Sequence, residues 1–232
     1  MNHVFNIIVE GDYALFSRPE MKVERVSYDV PTVSALEGLV KSVYWKPSIK
    51  IIIDKIIVFN PIKFTNIRRN ELKSKVTPRT DGTAERYASE EHTQRAGMIL
   101  KNVKYGVSFH IELTGLKSDH EDECIEKHYN IMLRRLKKGQ CFRQPCLGCR
   151  EFSVKRLELA EEFDLTEVDD SLKGDIDLGY MLYGLKFEDG GKPVNNDWDS
   201  PKFSDKADPI YYRPHIIDGV IDVAKYREEV IC

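Results

Sequence analysis

The 232-residue chain contains no apolar run near the roughly 20 residues a helix needs to cross a bilayer. Its densest apolar cluster, residues 51–53 with 56–59, is broken by Asp54 and Lys55. The first residues, Met1-Asn2-His3-Val4-Phe5, carry neither the basic region nor the small-residue cleavage site of a secretory signal. These absences lead to the expectation of a cytoplasmic protein with no membrane partner. Gly-x-Gly-x-x-Gly and P-loop patterns are missing, so no nucleotide-phosphate cradle is expected. Gly-x-Ser-x-Gly and His-Glu-x-x-His are missing too, which argues against a serine-hydrolase elbow and a zinc-protease helix. The five cysteines are an odd number, read as free thiols in a cytoplasmic protein. Cys141-x4-Cys146-x2-Cys149 lacks the second ligand pair of a zinc clamp, and Pro145 and Gly148 make it read as a turn. Neither a metal nor another cofactor is expected.

Charge of one sign is also scarce, with a net value of −3. Its distribution is less even. Residues 126–156 hold nine Lys and Arg against two acids, and residues 158–177 hold nine acids against Lys173. A second basic stretch, 63–79, sets six Lys and Arg against Glu71. Such segregation fits a local phosphate-binding face on a near-neutral chain, and equally a set of solvated surfaces.

Hydrophobic spacing gives the elements. Residues 4–9 read as a strand that 13–17 continue past Gly11, where a bulge or a close backbone approach is expected. Val33, Leu36, Leu39, Val40 and Val43 recur at helical spacing, with Thr32 or Ser34 as the cap. Pro47 ends that helix, which puts Tyr44 in its last turn. Residues 49–64 read as two strands or one bent strand, and 66–92 as a long polar insertion. A hairpin is expected at 98–113, turning near Lys101-Asn102-Val103. A helix follows from about Glu121 to Lys138, capped by Gly139. Beyond Cys141, short β-like pieces at 152–155, 179–187 and 220–223 suggest a small antiparallel domain. The expected fold is α+β, with a ferredoxin-like or RRM-like domain over 1–144 and a small β-rich domain over 145–232.

Two motifs carry chemistry. Lys127-His128 places an ammonium beside an imidazole, which suits stabilising phosphate charge and moving a proton to a leaving oxygen. Tyr44-Trp45-Lys46-Pro47 puts aromatics and a cation at a helix end, where they fit a stacked base and a phosphate. Taken alone, the first reads more readily as a surface lysine beside a histidine that packs or is solvated. Trp45 alone reads as a core anchor, and Tyr44 is open.

Taken in order, Gly11 to Ser17, Ser27 to Thr32, Ser42-Val-Tyr-Trp-Lys-Pro47, Lys127-His-Tyr129 and Leu147-Gly-Cys-Arg-Glu151 resemble one family. It is the subtype I-C CRISPR-associated endoribonuclease, the catalytic "d" branch of the fifth such family within the RAMP superfamily. The resemblance spans about residues 4–187 and weakens beyond 190. It implies an RRM-like domain, and cutting of the CRISPR precursor transcript at the 3′ base of each repeat hairpin. It also implies that the enzyme stays bound in the type I-C interference complex. Family positions fall on Tyr44, Lys127 and His128 for catalysis and on Gly148 for the glycine-rich turn. Trp45, Lys46, Arg134, Arg135, Lys137, Lys138 and Arg150 are the expected RNA contacts, with DNA a further partner because some relatives act on it. The competing expectation is a non-catalytic subunit holding the 5′ handle of a CRISPR RNA cut elsewhere. The presence of all three catalytic-type residues favours the enzyme.

Overall fold

The protein is described from a computed structural model covering residues 4–21, 23–72, 92–116, 124–198 and 200–231. It is α+β, as expected. The first strand, β1 (Phe5–Ala14), buries Phe5, Ile7 and Val9 on one side, the alternation a pleated strand demands. A two-residue strand, β2 (Arg25–Val26), leads to helix α1 (Val33–Val43), whose Val33, Leu36, Leu39, Val40 and Val43 form one buried stripe. Each such side chain contributes about 1.5–3 kcal/mol by leaving water. Thr32 is the N-cap, its hydroxyl accepting from the Ala35 N–H at 3.2 Å.

After α1 come β3 (Ile49–Val58), β4 (Phe64–Leu72) and the 22-residue β5 (His92–Leu113). Residues 49–58 are one strand, with a register shift at Asp54 where the apolar run is interrupted. The hairpin expected at 98–113 is absent, because β5 runs straight through it. Asn102 takes φ 52°, and the pairing with β1 steps from Gly11–Val103 to Tyr13–Lys101. Asparagine tolerates that left-handed conformation, so Lys101-Asn102-Val103 kinks the strand without reversing it. The polar stretch from 66 is likewise a strand as far as Leu72. Its charges pair along and across the ribbon, Arg69 reaching Glu71 on the same strand and Arg95 reaching it from β5. Residues 73–91, the rest of the expected insertion, lie outside the described residues.

Helix α2 spans Ile125–Lys137, and 121–123 of its expected start lie outside the described residues. Its end is a Schellman turn. Gly139 at φ 61° donates to the Leu136 carbonyl and Gln140 to the Arg135 carbonyl. The expected strand at 152–155 is a turn with a single bridge, Cys146 to Ser153, and β6 begins at Arg156 and ends at Ala160. The remaining strands are β7 (Asp175–Asp177), β8 (Met181–Phe187), β9 (Ala207–Tyr212), β10 (His215–Ile217) and β11 (Val220–Asp222).

The main sheet runs β6-β1-β5-β3-β11-β10-β7, with β2 and β4 also paired to β5. Strands β8 and β9 form a separate ribbon. Helices α1 and α2 touch each other and pack on the same face of the sheet, α1 over β3 and α2 over β5 and β6. Under α2, Phe5 stacks on Tyr129 at 4.6 Å and on Phe109 at 5.1 Å. The chain beyond 145 thus adds strands to both edges of this sheet, and its Leu147, Met181, Ile216 and Ile221 join the same core.

Candidate functional site

Tyr44 stands one residue past the end of α1. Its backbone is extended (φ −157°, ψ 132°), so the chain leaves the helix there and Tyr44 is its C-cap, not part of its last turn. The side chain turns toward α2 and lies 5% exposed. There its hydroxyl meets Nδ1 of His128 at 2.8 Å, across 84 residues of sequence. His128 sits in the first turn of α2 and is wholly buried, on the stripe that also holds Met132 and Leu136. The two rings lie 5.9 Å apart and tilted, so the contact is through the polar atoms rather than by stacking.

Arg135 lies seven residues after His128, two helical turns on, and therefore on the same side of α2. Its Nη1 donates to the Val43 carbonyl at 2.7 Å, and its guanidinium carbon lies 5.1 Å from the centre of the Tyr44 ring. The last carbonyls of a helix have no partner within it. Here Arg135 satisfies Val43, while the Phe142 and Arg143 N–H groups satisfy Ser42. The end of α1 is thus clasped by α2 and the turn that follows it.

Lys127 is half-buried and immediately precedes His128. Consecutive helical residues point about 100° apart, so Lys127 reaches the pair only through its flexible stem. It lies close to the N-terminus of α2, where the backbone N–H groups favour an anion. Cys124, the N-cap, makes no side-chain capping bond. Trp45, half exposed, and Lys46, exposed, follow Tyr44 on the surface; Trp45 is therefore not the core anchor that its type alone suggests. Arg134, Lys137 and Lys138 are exposed on α2. Gly148 and the exposed Arg150 belong to a turn docked elsewhere, at the end of β1. There Gly148 has φ 85°, and a Cβ would fall 1.9 Å from the Leu15 carbonyl oxygen. Leu147 from the same turn covers Gly11, whose own Cβ would meet it at 2.3 Å. What approaches Gly11 closely is thus a side chain, not the backbone expected there.

The structure thus joins Tyr44, His128 and Arg135, sets Trp45 and Lys46 beside them, and keeps Gly148 and Arg150 apart. Clefts of about 810 and 820 Å³ lie elsewhere, one between α2 and β6 and one on the helix-free face of the sheet. Neither is lined by Tyr44 or His128. Sequence reasoning missed the clasp by Arg143 and Phe142, which are backbone donors and leave no residue-type signal. Among the described residues, no group of three or more His, Cys, Asp or Glu is placed to hold a metal ion.

Comparison with known proteins places this chain among the CRISPR-associated proteins. A family model described as CRISPR-associated protein (Cas_Cas5), Cas5d, matches residues 6–224. The chain belongs to the Cas5d family. It is 40% identical over 233 aligned positions to a CRISPR pre-crRNA endoribonuclease Cas5d of Mannheimia succiniciproducens, covering 95% of each chain. A protein of the same description from Thermus thermophilus is 34% identical, covering 95% of this chain and 92% of the relative. Two solved structures superpose at 25% identity over 94% of this chain and 90% of theirs. One is a CRISPR-associated protein, with a TM-score of 0.63, and the other a functionally uncharacterized protein of Streptococcus mutans, with 0.62.

Proposed function

We propose that this protein is a metal-independent endoribonuclease that cuts the CRISPR precursor transcript at the 3′ base of each repeat hairpin. The product stays bound, and the enzyme serves as a subunit of the type I-C interference complex in the cytoplasm. The observation that carries this reading is the 2.8 Å bond between the Tyr44 hydroxyl and His128 Nδ1. Family membership and the names of the two relatives support it.

RNA supplies its own nucleophile, so the protein needs only to move two protons and to offset charge on phosphate. Tyr44 takes the proton of the 2′-hydroxyl as its oxygen attacks phosphorus. The bond from phosphorus to the 5′-oxygen breaks, and His128 gives that oxygen a proton. The products are a 2′,3′-cyclic phosphate and a 5′-hydroxyl. With the imidazole proton on Nε2, the phenol passes its proton to Nδ1 as Nε2 releases one, so the pair ends with as many protons as it began. Lys127 and the N-terminus of α2 offset charge on the phosphate oxygens. Trp45 stacks on a base, and Lys46, Arg134, Lys137, Lys138 and Arg150 hold phosphates, while Gly148 shapes the turn that presents Arg150. The order β6-β1-β5-β3 with α1 and α2 on one face supports reading the frame as RRM-like.

One observation favours a second reading. His128 has no exposed surface, which suits a subunit that holds a CRISPR RNA without cutting it. On the catalytic reading, the side chains over the pair part when RNA binds. Incubation with the repeat RNA in excess EDTA, beside a substrate with a 2′-deoxy at the scissile nucleotide, separates the two. One cut that the 2′-deoxy blocks supports the enzyme. Tight binding without a cut transfers the protein to the holding role.

A further inference from the structure

We infer that Arg135 is a positioning residue, which fixes the Tyr44 phenol against His128 and does not grip RNA phosphate. This rests on the reading of Tyr44 and His128 as the reacting groups. By residue type Arg135 belongs with Arg134, Lys137 and Lys138, a run of cations on the last turn of one helix. Geometry separates it from them. The other three are exposed, and none makes an ion pair with a described residue. Arg135 is half-buried and turned back beneath the site. Its Nη1 is committed to the Val43 carbonyl at 2.7 Å, and its guanidinium carbon lies over the Tyr44 ring, 5.1 Å from the centre.

The two contacts bracket the one bond about which Tyr44 must not swing. Val43 is the residue before it, so holding that carbonyl fixes the peptide from which Tyr44 departs. The guanidinium over the ring then fixes the side chain itself. His128, on the same stripe of α2, holds the far end through the hydroxyl. Tyr44 is thereby held at backbone, ring and hydroxyl by one rigid helix. A misplacement of about 1 Å in such a pair costs on the order of 100-fold in rate, although no atom of Arg135 touches the RNA.

The test uses the full chain and its repeat RNA, with Arg135→Gln, Arg135→Lys and Lys137→Gln. Three quantities are measured: the single-turnover cutting rate at saturating protein, the affinity for a 2′-deoxy hairpin that cannot be cut, and the salt slope of that affinity. Arg135→Gln is expected to slow cutting at least tenfold at saturation, with affinity within about twofold and the slope unchanged. Arg135→Lys keeps a donor for Val43 and a cation but not the planar face, and is expected to recover part of the rate. Lys137→Gln should instead weaken binding and lower the slope by about 1. If Arg135→Gln behaves like Lys137→Gln, Arg135 is a phosphate ligand and the inference is wrong. A joint fall of rate, affinity and thermal midpoint overturns it as well, because that marks a general prop of the fold. Should Arg135→Gln not fold, Arg135→Lys decides alone, by a slower saturated rate at unchanged affinity. A wild-type protein that leaves the RNA uncut refutes the proposed function instead, and does so before any variant is compared.

Discussion

Tyr44→Phe removes one oxygen from the site and leaves the ring where Arg135 holds it. The hydrogen bond to His128 is lost, and little packing goes with it. Cutting should fall by about 100-fold or more, the usual scale for a proton-transfer group, while the hairpin still binds. Lys127→Ala and His128→Ala should give the same split between rate and affinity. Their roles separate on a substrate whose 5′-oxygen is replaced by sulfur, a leaving atom that needs no proton. His128→Ala should regain part of its lost rate on that substrate, because only its proton to the leaving atom is dispensed with while Tyr44 still lacks Nδ1 as acceptor, and Tyr44→Phe should regain none. Recovery by Tyr44→Phe instead would exchange the two roles. Gly148 makes a different residue-scale case, since its backbone conformation alone makes a Cβ costly and the Leu15 carbonyl blocks the space. Gly148→Ala should cost at least about 1 kcal/mol by chemical denaturation. An unchanged midpoint would show that the turn docks without that contact. The family resemblance of the sequence singled out Tyr44, Lys127 and His128, which their residue types alone left open. It gave no sign of what Arg135 does, because the contact with Val43 joins residues 92 apart and has no local pattern.

At the scale of elements, both helices owe their ends to capping groups that also aim the site. Thr32→Ala should cost about 1 kcal/mol at the start of α1. Gly139→Ala should cost a similar amount, about 1 kcal/mol, because a Cβ is strained at φ 61°. The second change loosens the turn whose N–H groups hold Ser42, so it should also slow cutting, which Thr32→Ala should do less. Far from the site, β7 and β10 are tied by Arg213, whose hydrogen bonds hold the Asp177 carboxyl down to about 2, with the Gly179 N–H contributing next. A depressed carboxyl adds stability above its unfolded pKa and loses it as pH falls through the folded value. The tie should therefore hold above about pH 4, the ordinary aspartate range, and give way toward pH 2. In Arg213→Ala, NMR titration should find the Asp177 midpoint moved up toward about 3.9. Helices α1 and α2 were legible because eleven and thirteen residues show a period several times over. Strands of three residues such as β7 and β10 show none, and they form only on short neighbours, β10 on β11 and β7 on β10, which extend the edge that β3 offers β11. Asn102 misled for a different reason, since asparagine takes a positive φ in a turn and within a continuing strand alike.

For the whole molecule, a net charge of −3 is a poor guide to its partner, because the charges are sorted in space. Several acids of 158–177 are engaged with their own chain. Asp164 and Asp169 accept from the Thr166 and Ser171 N–H groups, and Asp177 is held by Arg213. Arg134, Lys137, Lys138 and, in the turn apart from the site, Arg150 are by contrast exposed and outside any ion pair with a described residue. The segregation was readable in the sequence. Which cations are free was not, because Arg69 and Arg95 lie in or beside basic stretches yet are taken by Glu71. Only free cations release counterions when RNA binds. If Arg134, Lys137, Lys138 and Arg150 each meet one phosphate, the logarithm of the hairpin affinity should fall with the logarithm of salt at a slope of about −2.8 to −3.6. Arg69→Gln should leave that slope alone, although arginine is the commoner phosphate ligand by type, and Lys137→Gln should reduce it by about 1. Binding indifferent to salt would mean that the hairpin lies on another face and that the cations of α2 serve only solubility.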